Sequence, residues 1–363
     1  MKSIFCFILL ILTWGESIET YWEMMRTGRY DEAVAKVETY LSTGRHVTDD
    51  ERTEGEKLIM KARTCQEMKS NAKDVKLVDS IKVKKEDMVS LCEMVMGGNK
   101  MIQREDGGAE FVATRGQKRL MGVKSQNGYD IYRQYGDGEM EKLSKSVNTE
   151  ANENFPYEMS DGVTLYFASE GHGSIGGYDI FMTRYNSETF DYQMPHNVGM
   201  PFNSLGNDYL MMVDDLAGMG LWVTDNGQDG DTVIVYVYKY ENGEVKETAE
   251  RKPLPVVEND AKETGDVMKF YVSDRIIYTR IEDFRSAEAR SKYLEMTDIE
   301  KEMRLVELVL ESKRANFRML ESAEEKQNLS NDIVEDERYL IETKDRLKEL
   351  MKEIRRLERK QYE

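Results

Sequence analysis

The sequence of 363 residues predicts a mainly β protein with helical ends, and within its middle a β-propeller of four or five blades. Helical periodicity is confined to the two ends of the chain, at 18–72 and 286–363. Short alternating apolar segments fill residues 73–282, and part of that region recurs after about 50 residues, a typical spacing for propeller blades. A single β-sandwich is the alternative for the same strands.

Composition limits the classes of function. Charged residues make up 33% of the chain and the formal net charge is −18. This balance disfavours binding along a nucleic-acid backbone, because such binding requires clustered Lys and Arg. Hydrophobic residues make up 40%, which is enough for a substantial core. We therefore expect a folded protein without a nucleic-acid partner.

Residues 1–17 have the pattern of a secretory signal peptide. Lys2 precedes an apolar run from Ile4 to Trp14, and the small residue Gly15 follows it. The run is shorter than the roughly 20 residues that a membrane-spanning helix needs. The sequence therefore predicts an exported chain without a transmembrane span after processing.

Removal of that segment leaves two cysteines, Cys65 and Cys92. They can pair in an oxidising compartment, but both have helix-like surroundings, which favours two buried thiols. Neither has Cys or His neighbours at the spacing of a zinc site.

The first helical region, 18–72, contains one recognisable helical hairpin. Tyr30, Ala33, Val37 and Leu41 recur every three or four residues. The G-x-Y-x-x-A element that begins at Gly28 resembles the second half of a tetratricopeptide unit. Because such units normally stack in threes or more, a single hairpin should dock on the next domain or on a partner.

The middle region carries an internal repeat. Strand-like segments occupy 163–169, 178–185, 220–225 and 232–240. The segment that begins at Asn148 lines up with the segment that begins at Asn203, and "GYDIY" at 128–132 lines up with "GYDIF" at 177–181. The aligned pairs of the longer segment are Asn148 with Asn203, Thr149 with Ser204, Asn152 with Asn207 and Glu153 with Asp208.

The tail, 286–363, lacks glycine and proline and has two apolar runs that step by three and four residues. The runs are out of phase by two residues, and "NLSND" at 328–332 lies between them. Asp332 and Glu335 there have capping-box spacing. We expect either a helical hairpin or one long helix with a phase break. So narrow an apolar strip is typical of a coiled-coil seam that packs on itself, on another copy or on a partner.

The glycines of residues 171–176 match the G-x-G-x-x-G pattern of phosphate-binding loops. A dinucleotide site needs a helix after the loop, whereas "YDIFMTRY" alternates as a strand does. The V-A-I-K, H-R-D and D-F-G motifs of kinases are missing as well. The pattern therefore indicates a hairpin loop. Ser174 and His172 lie within it, but nothing near them in sequence completes a catalytic triad.

Residues 225–232 are faintly similar to a calcium loop, with Asp225, Asp229 and Asp231 as candidate ligands. Gly230 fits position 6 of an EF-hand loop, but Tyr236 stands where the loop needs a glutamate. Strands flank the segment, so we favour a solvated hairpin turn over a metal site. The sequence thus indicates no catalytic residue and no cofactor.

The motifs of residues 147–240 resemble the WD40-like, TolB-type β-propeller repeats of envelope proteins from Bacteroidota. In that family a D-G-x-x-L-Y-F-x-S strand and a G-G-x-D-I-[YF] strand belong to one blade, and an N-x-G-x-x-[FI]-N-[ST] link leads to the next. The corresponding residues are Asp161, Gly162, Leu165, Tyr166, Phe167, Ser169, Gly176, Gly177, Asp179, Ile180, Phe181, Asn197, Gly199, Phe202, Asn203 and Ser204.

The resemblance implies a periplasmic or outer-membrane-associated scaffold, in some relatives linked to secretion or gliding machinery, and no catalysis. Many relatives end in an OmpA-like domain, whereas this chain ends in charged helices, so binding to peptidoglycan is not implied. Residues 222–230 also lack the family's Ser/Thr-Asp-Arg turn. The residues implied to form the blade framework are Asp161, Gly162, Gly176, Gly177, Asp179 and Asn203.

The leading hypothesis is a non-enzymatic exported scaffold or protein-interaction protein of the cell envelope. Its expected partners are envelope proteins, together with a second copy bound through the C-terminal helices. The alternative is a ligand-sensing propeller that binds a small molecule, a glycan or calcium. A hydrolase that uses Ser174 or His172 is a third class.

Overall fold

The computed structural model describes residues 18–44, 47–72, 75–93, 99–113, 118–214, 218–228, 230–241, 244–245, 268, 270–273, 276–319 and 323–362. The predicted signal peptide, residues 1–17, lies outside this part of the chain. Among the described helices, none combines the length and the hydropathy that crossing a membrane requires.

The N-terminal unit consists of α1 (Ile18–Arg26), α2 (Tyr30–Thr43) and α3 (Asp49–Ser70). A capping box starts α3: the Glu51 N–H donates to Thr48 Oγ1 at 3.2 Å, and the Thr48 N–H donates to the Glu51 carboxylate at 2.8 Å. Ala33 of the G-x-Y-x-x-A element is completely buried among these helices, as a close helix–helix contact requires.

Three five-stranded antiparallel sheets form the middle of the chain. The first strand along the chain is β1 (Leu77–Lys84). Sheet 1 consists of β2 (Lys100–Gln103), β3 (Ala109–Val112), β4 (Lys118–Ser125), β5 (Gly128–Tyr135) and β6 (Glu141–Lys142). Sheet 2 consists of β7 (Glu153–Glu158), β8 (Thr164–Ser169), β9 (Asp179–Asn186), β10 (Asp191–Tyr192) and β11 (His196–Asn197). Sheet 3 consists of β12 (Asp208–Asp214), β13 (Met219–Thr224), β14 (Thr232–Glu241), β15 (Glu244–Val245) and β1.

The strand order links the start of this region to its end. β1 pairs with β14 in a register that runs from Leu77 opposite Tyr238 to Lys84 opposite Thr232, so an early strand completes the last sheet. A short helix, α4 (Met88–Glu93), follows β1 and packs on β2 of sheet 1. Sheet 3 and sheet 1 are therefore tied together by one continuous piece of chain.

The sheets stack in chain order, with sheet 2 in the middle. Phe111 of sheet 1 meets Tyr157 of sheet 2 edge-on, with ring centroids 5.5 Å apart. Phe155 meets Tyr209 of sheet 3 at the same distance. The Tyr157 hydroxyl also donates to the Val213 carbonyl. One apolar cluster runs through all three sheets, and its burial is the main source of their stability.

The predicted antiparallel sheets and helical ends are confirmed, but the protein is mixed α/β and not mainly β, because long helices occupy both ends of the described chain. The described residues form three five-stranded sheets, with no closed propeller among them, so the predicted propeller of four or five blades is not confirmed. Three sheets are also more than a single sandwich contains. A two-stranded ribbon, β16 (Phe270–Ser273) with β17 (Ile276–Tyr278), falls within the predicted 73–282 region but packs on the C-terminal helices.

The tail forms two antiparallel helices, α5 (Ala287–Met319) and α6 (Ala323–Arg359). α5 ends at Met319 and α6 begins at Ala323, so the expected break at 328–332 falls inside α6. Leu329 is completely buried there, so tertiary packing outweighs the weak helix preference of Asn and Asp. Cross-helix ion pairs support the hairpin, among them Lys344 with Glu307 at 2.9 Å and Arg346 with Glu295 at 2.7 Å.

The hairpin is anchored to the ribbon and to sheet 3. Glu358 is completely buried and accepts hydrogen bonds from the Tyr278 hydroxyl at 2.6 Å and from the Ser286 N–H at 2.9 Å. Arg304 pairs with Asp79 of β1, with Nε 2.8 Å from Oδ2. Because these contacts lie at the base and the middle of the hairpin, they hold it against the rest of the protein.

A buried ion pair between the two helices provides a first prediction. Lys313 is only 2% exposed, and its Nζ lies 3.0 Å from Asp336 Oδ2. Lys313→Met should lower the free energy of unfolding by about 3–5 kcal/mol, because it leaves an uncompensated buried carboxylate. The double variant Lys313→Met/Asp336→Leu should recover most of that loss in urea unfolding. Equal losses in the single and double variants would contradict this account.

Candidate functional site

The repeated asparagines form the same contact in two places. Asn148 lies between sheets 1 and 2: its Oδ1 accepts from the Ile131 N–H at 2.7 Å, and its Nδ2 donates to the Ile131 carbonyl at 2.9 Å. Asn203, between sheets 2 and 3, binds Ile180 in the same way at 2.7 and 2.8 Å. Each asparagine side chain therefore forms hydrogen bonds with both the backbone N–H and the carbonyl of one buried strand residue in the preceding sheet.

The hydroxyl and carboxylate pairs of the repeat are equivalent as well. Thr149 donates from its N–H at 2.8 Å and from its hydroxyl at 2.7 Å to Glu153, which is completely buried. Ser204 donates from its N–H at 2.6 Å and from its hydroxyl at 3.0 Å to Asp208. In each repeat, the segment between two sheets, which we call the connector, thus forms a hydrogen-bonded turn. This turn places a buried acidic residue at the start of the next sheet.

The second asparagine of each repeat requires a glycine opposite it. Asn207 Oδ1 accepts from the Tyr178 N–H at 3.2 Å, and a Cβ on Gly177 would lie 2.1 Å from that oxygen. Asn152 and Gly128 repeat this arrangement, with a corresponding distance of 2.2 Å. The glycine in "GYDI" is therefore needed for close approach between two sheets.

This arrangement predicts unequal effects for two alanine substitutions. Gly177→Ala should lower the free energy of unfolding by about 3 kcal/mol, because the new methyl group displaces Asn207 from its strand. Gly162→Ala is the matched control: its φ is +65° but nothing lies within 4 Å of the new Cβ, so the cost should be about 1 kcal/mol. Thermal unfolding of both variants measures the difference, and equal losses would contradict the close-approach argument.

The remaining residues of the predicted blade framework, Asp161, Gly162 and Asp179, stabilise turns and strand ends through hydrogen bonds. Asp161 accepts from the N–H groups of Val163 at 2.9 Å and Thr164 at 2.8 Å, and Gly162 follows it in the turn. Burial raises the pKa of Asp161, but these hydrogen bonds outweigh burial and lower the pKa overall. Asp179 is completely buried at the start of β9 and also accepts from Asn197 Nδ2 at 2.6 Å.

The loop at 171–176 connects β8 to β9, which are adjacent antiparallel strands, so it has the place of the expected hairpin loop. The Ile175 and Gly176 N–H groups donate to the Asp179 carboxylate at 3.0 and 3.2 Å. A Cβ on Gly176 would meet the Gly206 carbonyl at 2.2 Å. These amides, which a phosphate would need, are thus bound by an internal carboxylate.

The same loop also packs against the N-terminal helices. Ile175 is buried in the cluster that contains Met25, Leu58 and Cys65 of α1 and α3. Lys61 Nζ donates to the carbonyls of Ile175 at 3.1 Å and Gly176 at 3.4 Å. The loop is therefore a docking point between the helical unit and sheet 2, a role for Lys61 that no sequence pattern indicated.

The loop's two candidate catalytic side chains have separate structural partners. His172 Nε2 lies 2.8 Å from the Val147 carbonyl, and its ring packs against Phe181 with centroids 5.4 Å apart. The Ser174 hydroxyl donates to the Glu170 carbonyl at 3.0 Å. These contacts do not bring the serine and the histidine together as nucleophile and base.

Of the three calcium candidates, the structure shows an engaged carboxylate for Asp225 and a backbone contact for Asp231. Asp225 accepts from the Asn207 N–H at 2.6 Å, from Asn207 Nδ2 at 2.8 Å and from the Tyr209 hydroxyl at 2.6 Å. Asp229 lies outside the described residues, and the Asp231 carbonyl accepts from the Lys85 N–H at 3.0 Å. Across the described ranges, no three His, Cys, Asp or Glu side chains converge on a potential metal site.

Cys65 is a buried free thiol, and burial together with the charge of Asp179 raises its pKa to about 11. The side chain of Cys92 lies outside the described part of the chain. At neutral pH the Cys65 thiol is therefore protonated and unreactive.

The buried acid of sheet 3 makes stability depend on pH. Burial raises the pKa of Asp208 well above its ordinary value of 3.8, against the hydrogen bonds from Thr224 and Ser204. The folded state therefore binds the proton of the Asp208 carboxyl more tightly than the unfolded chain does. The protonated carboxyl contributes its full stabilisation of the fold below pH 3.8, and this contribution is lost as pH rises through the pKa of the folded state. Asp208→Asn should therefore flatten the dependence of urea unfolding on pH above 4; an unchanged slope would contradict the assignment.

Comparison with known proteins found no match, whether to family models, to curated proteins or to solved structures. The site geometry is therefore the basis for the functional argument.

Proposed function

We propose that this chain is a non-enzymatic exported scaffold of the cell envelope, in which propeller-type sheets hold two helical units in position for protein partners. The observation that carries the proposal is the loop at 171–176. Its amides bind Asp179, and its carbonyls bind Lys61 of the helical unit. A loop with the spacing of a ligand site is thus used to join two parts of the protein.

The repeat supports a propeller-type assembly of the sheets. Identical asparagine contacts join sheet 1 to sheet 2 and sheet 2 to sheet 3, as expected when one blade unit is copied along the chain. The pairing of β1 with β14 resembles the way in which propellers combine strands from both ends of the chain in one blade. Our proposal for this architecture is three propeller-type blades in chain order, with α4 following β1 of sheet 3 and packing on β2 of sheet 1.

The C-terminal hairpin is the proposed surface for self-association. Val334 and Ile341 of α6 are 50% and 64% exposed, and their spacing of seven residues places them on one face of the helix. Export and envelope location rest on the pattern of residues 1–17 and on the TolB-type resemblance of residues 147–240.

The proposal is tested on the full-length chain produced in a Gram-negative host. We expect recovery in the periplasmic fraction, an N-terminus near residue 18, and a concentration-dependent dimer in sedimentation velocity. Val334→Lys/Ile341→Lys should abolish the dimer, whereas Ile277→Lys, at an exposed ribbon position, should not. A cytoplasmic chain with an intact leader would refute export. A chain that is monomeric at all concentrations and forms no crosslink to any envelope protein would refute the scaffold.

A further inference from the structure

The turn between β13 and β14 contains the dipeptide Asn226-Gly227, which the proposed scaffold role does not use. Both residues are exposed to solvent. Asn226 forms hydrogen bonds with described residues only through its backbone, so its side-chain amide has no partner among them. The Gly227 N–H likewise donates to no described residue. A side-chain amide and the backbone nitrogen that follows it are thus both accessible to water and to each other.

The backbone of this turn favours contact between the two groups. Gly227 has a φ of +69°, a conformation that glycine adopts readily, and it has no Cβ to crowd the nitrogen. The Gln228 N–H donates to the Asp225 carbonyl at 2.9 Å, so the turn is closed on both sides of the dipeptide. Only the dipeptide itself lies between these two anchors.

The reaction that such a pair supports is the loss of ammonia through a cyclic imide. The Gly227 nitrogen gives up its proton to solvent and forms a bond to the side-chain carbonyl carbon of Asn226. The bond from that carbon to the amide nitrogen breaks, and ammonia leaves. Water then adds to either carbonyl of the imide, which yields aspartate or isoaspartate. Water is the only co-reactant.

A second Asn-Gly pair of this chain provides the internal comparison. Asn127 is also exposed, in the turn between β4 and β5. Gly128, however, lies opposite Ser125 in the ladder of these strands, and the Ser125 hydroxyl donates to the Gly128 carbonyl at 3.0 Å. Reaction at Asn127 therefore first requires this part of the ladder to open, which costs free energy.

Conversion at Asn226 would disturb the connector between sheets 2 and 3. A Cβ on Gly206 would lie 2.9 Å from Asn226 Cα, so the connector packs directly on this backbone. The adjacent Asp225 carboxylate accepts from the Asn207 N–H and from the Tyr209 hydroxyl, each at 2.6 Å. Isoaspartate lengthens the main chain and places a second negative charge beside Asp225. Both changes act against these contacts.

We propose that Asn226-Gly227 is a site of spontaneous deamidation, and that the isoaspartate product loosens the connector between sheets 2 and 3. The modification requires no enzyme, and the ammonia is lost to solvent, so the modified fraction grows with the age of the protein. The inference is independent of the proposed scaffold role, because it depends only on this turn and on its contacts.

The test is ageing of the purified full-length protein at mildly alkaline pH, followed by peptide mass mapping. Exchange of the amide for a hydroxyl changes the peptide mass, and chromatographic retention separates isoaspartate from aspartate. We expect Asn226 to convert about tenfold faster than Asn127, because the ladder must first open at Gly128. Asn226→Gln should suppress the conversion, since glutamine would have to form a larger ring, and it should leave the fold unchanged at an exposed position.

Hydrogen exchange followed by mass spectrometry measures the effect on the connector. In the aged wild type, exchange of the peptide that contains Asn207 should be about tenfold faster than before ageing. The equivalent peptide around Asn152 should not change, and neither peptide should change in aged Asn226→Gln.

Equal conversion rates at Asn226 and Asn127 would overturn the assigned site. So would an intact Asn226 under conditions in which the urea-unfolded chain is converted. Unchanged exchange at Asn207 after conversion would overturn the effect on the connector.

Discussion

Asn203→Ala is expected to lower the free energy of unfolding by about 3–5 kcal/mol, one of the largest effects of any single substitution in the sheets. The side chain is 1% exposed and satisfies both the N–H and the carbonyl of Ile180. Alanine would leave the buried Ile180 N–H without a partner, which costs about 1–3 kcal/mol. It would also remove the bonds from Asn203 Nδ2 to Asn197 Oδ1 and to the Ile180 carbonyl, which keeps the Val198 N–H at 3.2 Å, and each of these two losses costs about 1 kcal/mol. Urea unfolding followed by tryptophan fluorescence measures the loss, because Trp222 lies in sheet 3.

The repeat supplies the control for this prediction. Asn148→Ala should give a loss of similar size, since Asn148 binds Ile131 with the same geometry. Asn203→Asp keeps an acceptor for the Ile180 N–H but loses the donor to its carbonyl, and it adds a buried charge. A loss below about 1 kcal/mol in both alanine variants would show that water replaces the amide, and that these asparagines do not hold the sheets together.

Ile175→Ala is expected to loosen the N-terminal helical unit without unfolding the sheets. Ile175 is buried between Met200 and Leu205 of the sheet region and the helices α1 and α3. Removal of such a side chain costs about 2–4 kcal/mol, which raises the population of the undocked state about 30- to 1000-fold. Because Cys65 belongs to the same cluster, its alkylation rate should rise in proportion.

The labelling is measured by mass spectrometry of the peptide that contains Cys65, which separates it from Cys92. Ile102→Ala, at a position that is 42% exposed on β2, is the control and should leave the rate unchanged. Urea unfolding of the sheets should remain close to that of the wild type. An unchanged Cys65 rate in Ile175→Ala would mean that the loop does not hold the helices in place.

Much of the local structure could be predicted from the sequence. The helical periodicity of Tyr30, Ala33, Val37 and Leu41, the alternation of 163–169 and the absence of a helix after Gly176 each act over a few residues, so they could be recognised without knowledge of the fold. The aligned asparagines of the repeat also correspond in space. Similar local sequences form similar connections when they meet equivalent strands.

The errors concern packing at long range. The composition of the last sheet depends on β1 pairing with β14, and a strand pattern does not specify its partner. The helix break was expected at 328–332, but Leu329 is buried inside α6, which begins at Ala323. The ribbon at 270–278 has strand character wherever it lies; only its apolar contacts with α5 and α6 place it with the tail.

The sequence by itself determined the periodic elements, the two connectors and the exclusion of a nucleotide loop, because hydrogen-bonding patterns and side-chain alternation are local properties. The tertiary structure decided which contacts those elements make. It brought Asp179 and Lys61 to the glycine loop, and it placed Asn148 and Asn203 against strands of the preceding sheets. Such contacts join residues far apart in the chain, and they depend on how whole sheets stack.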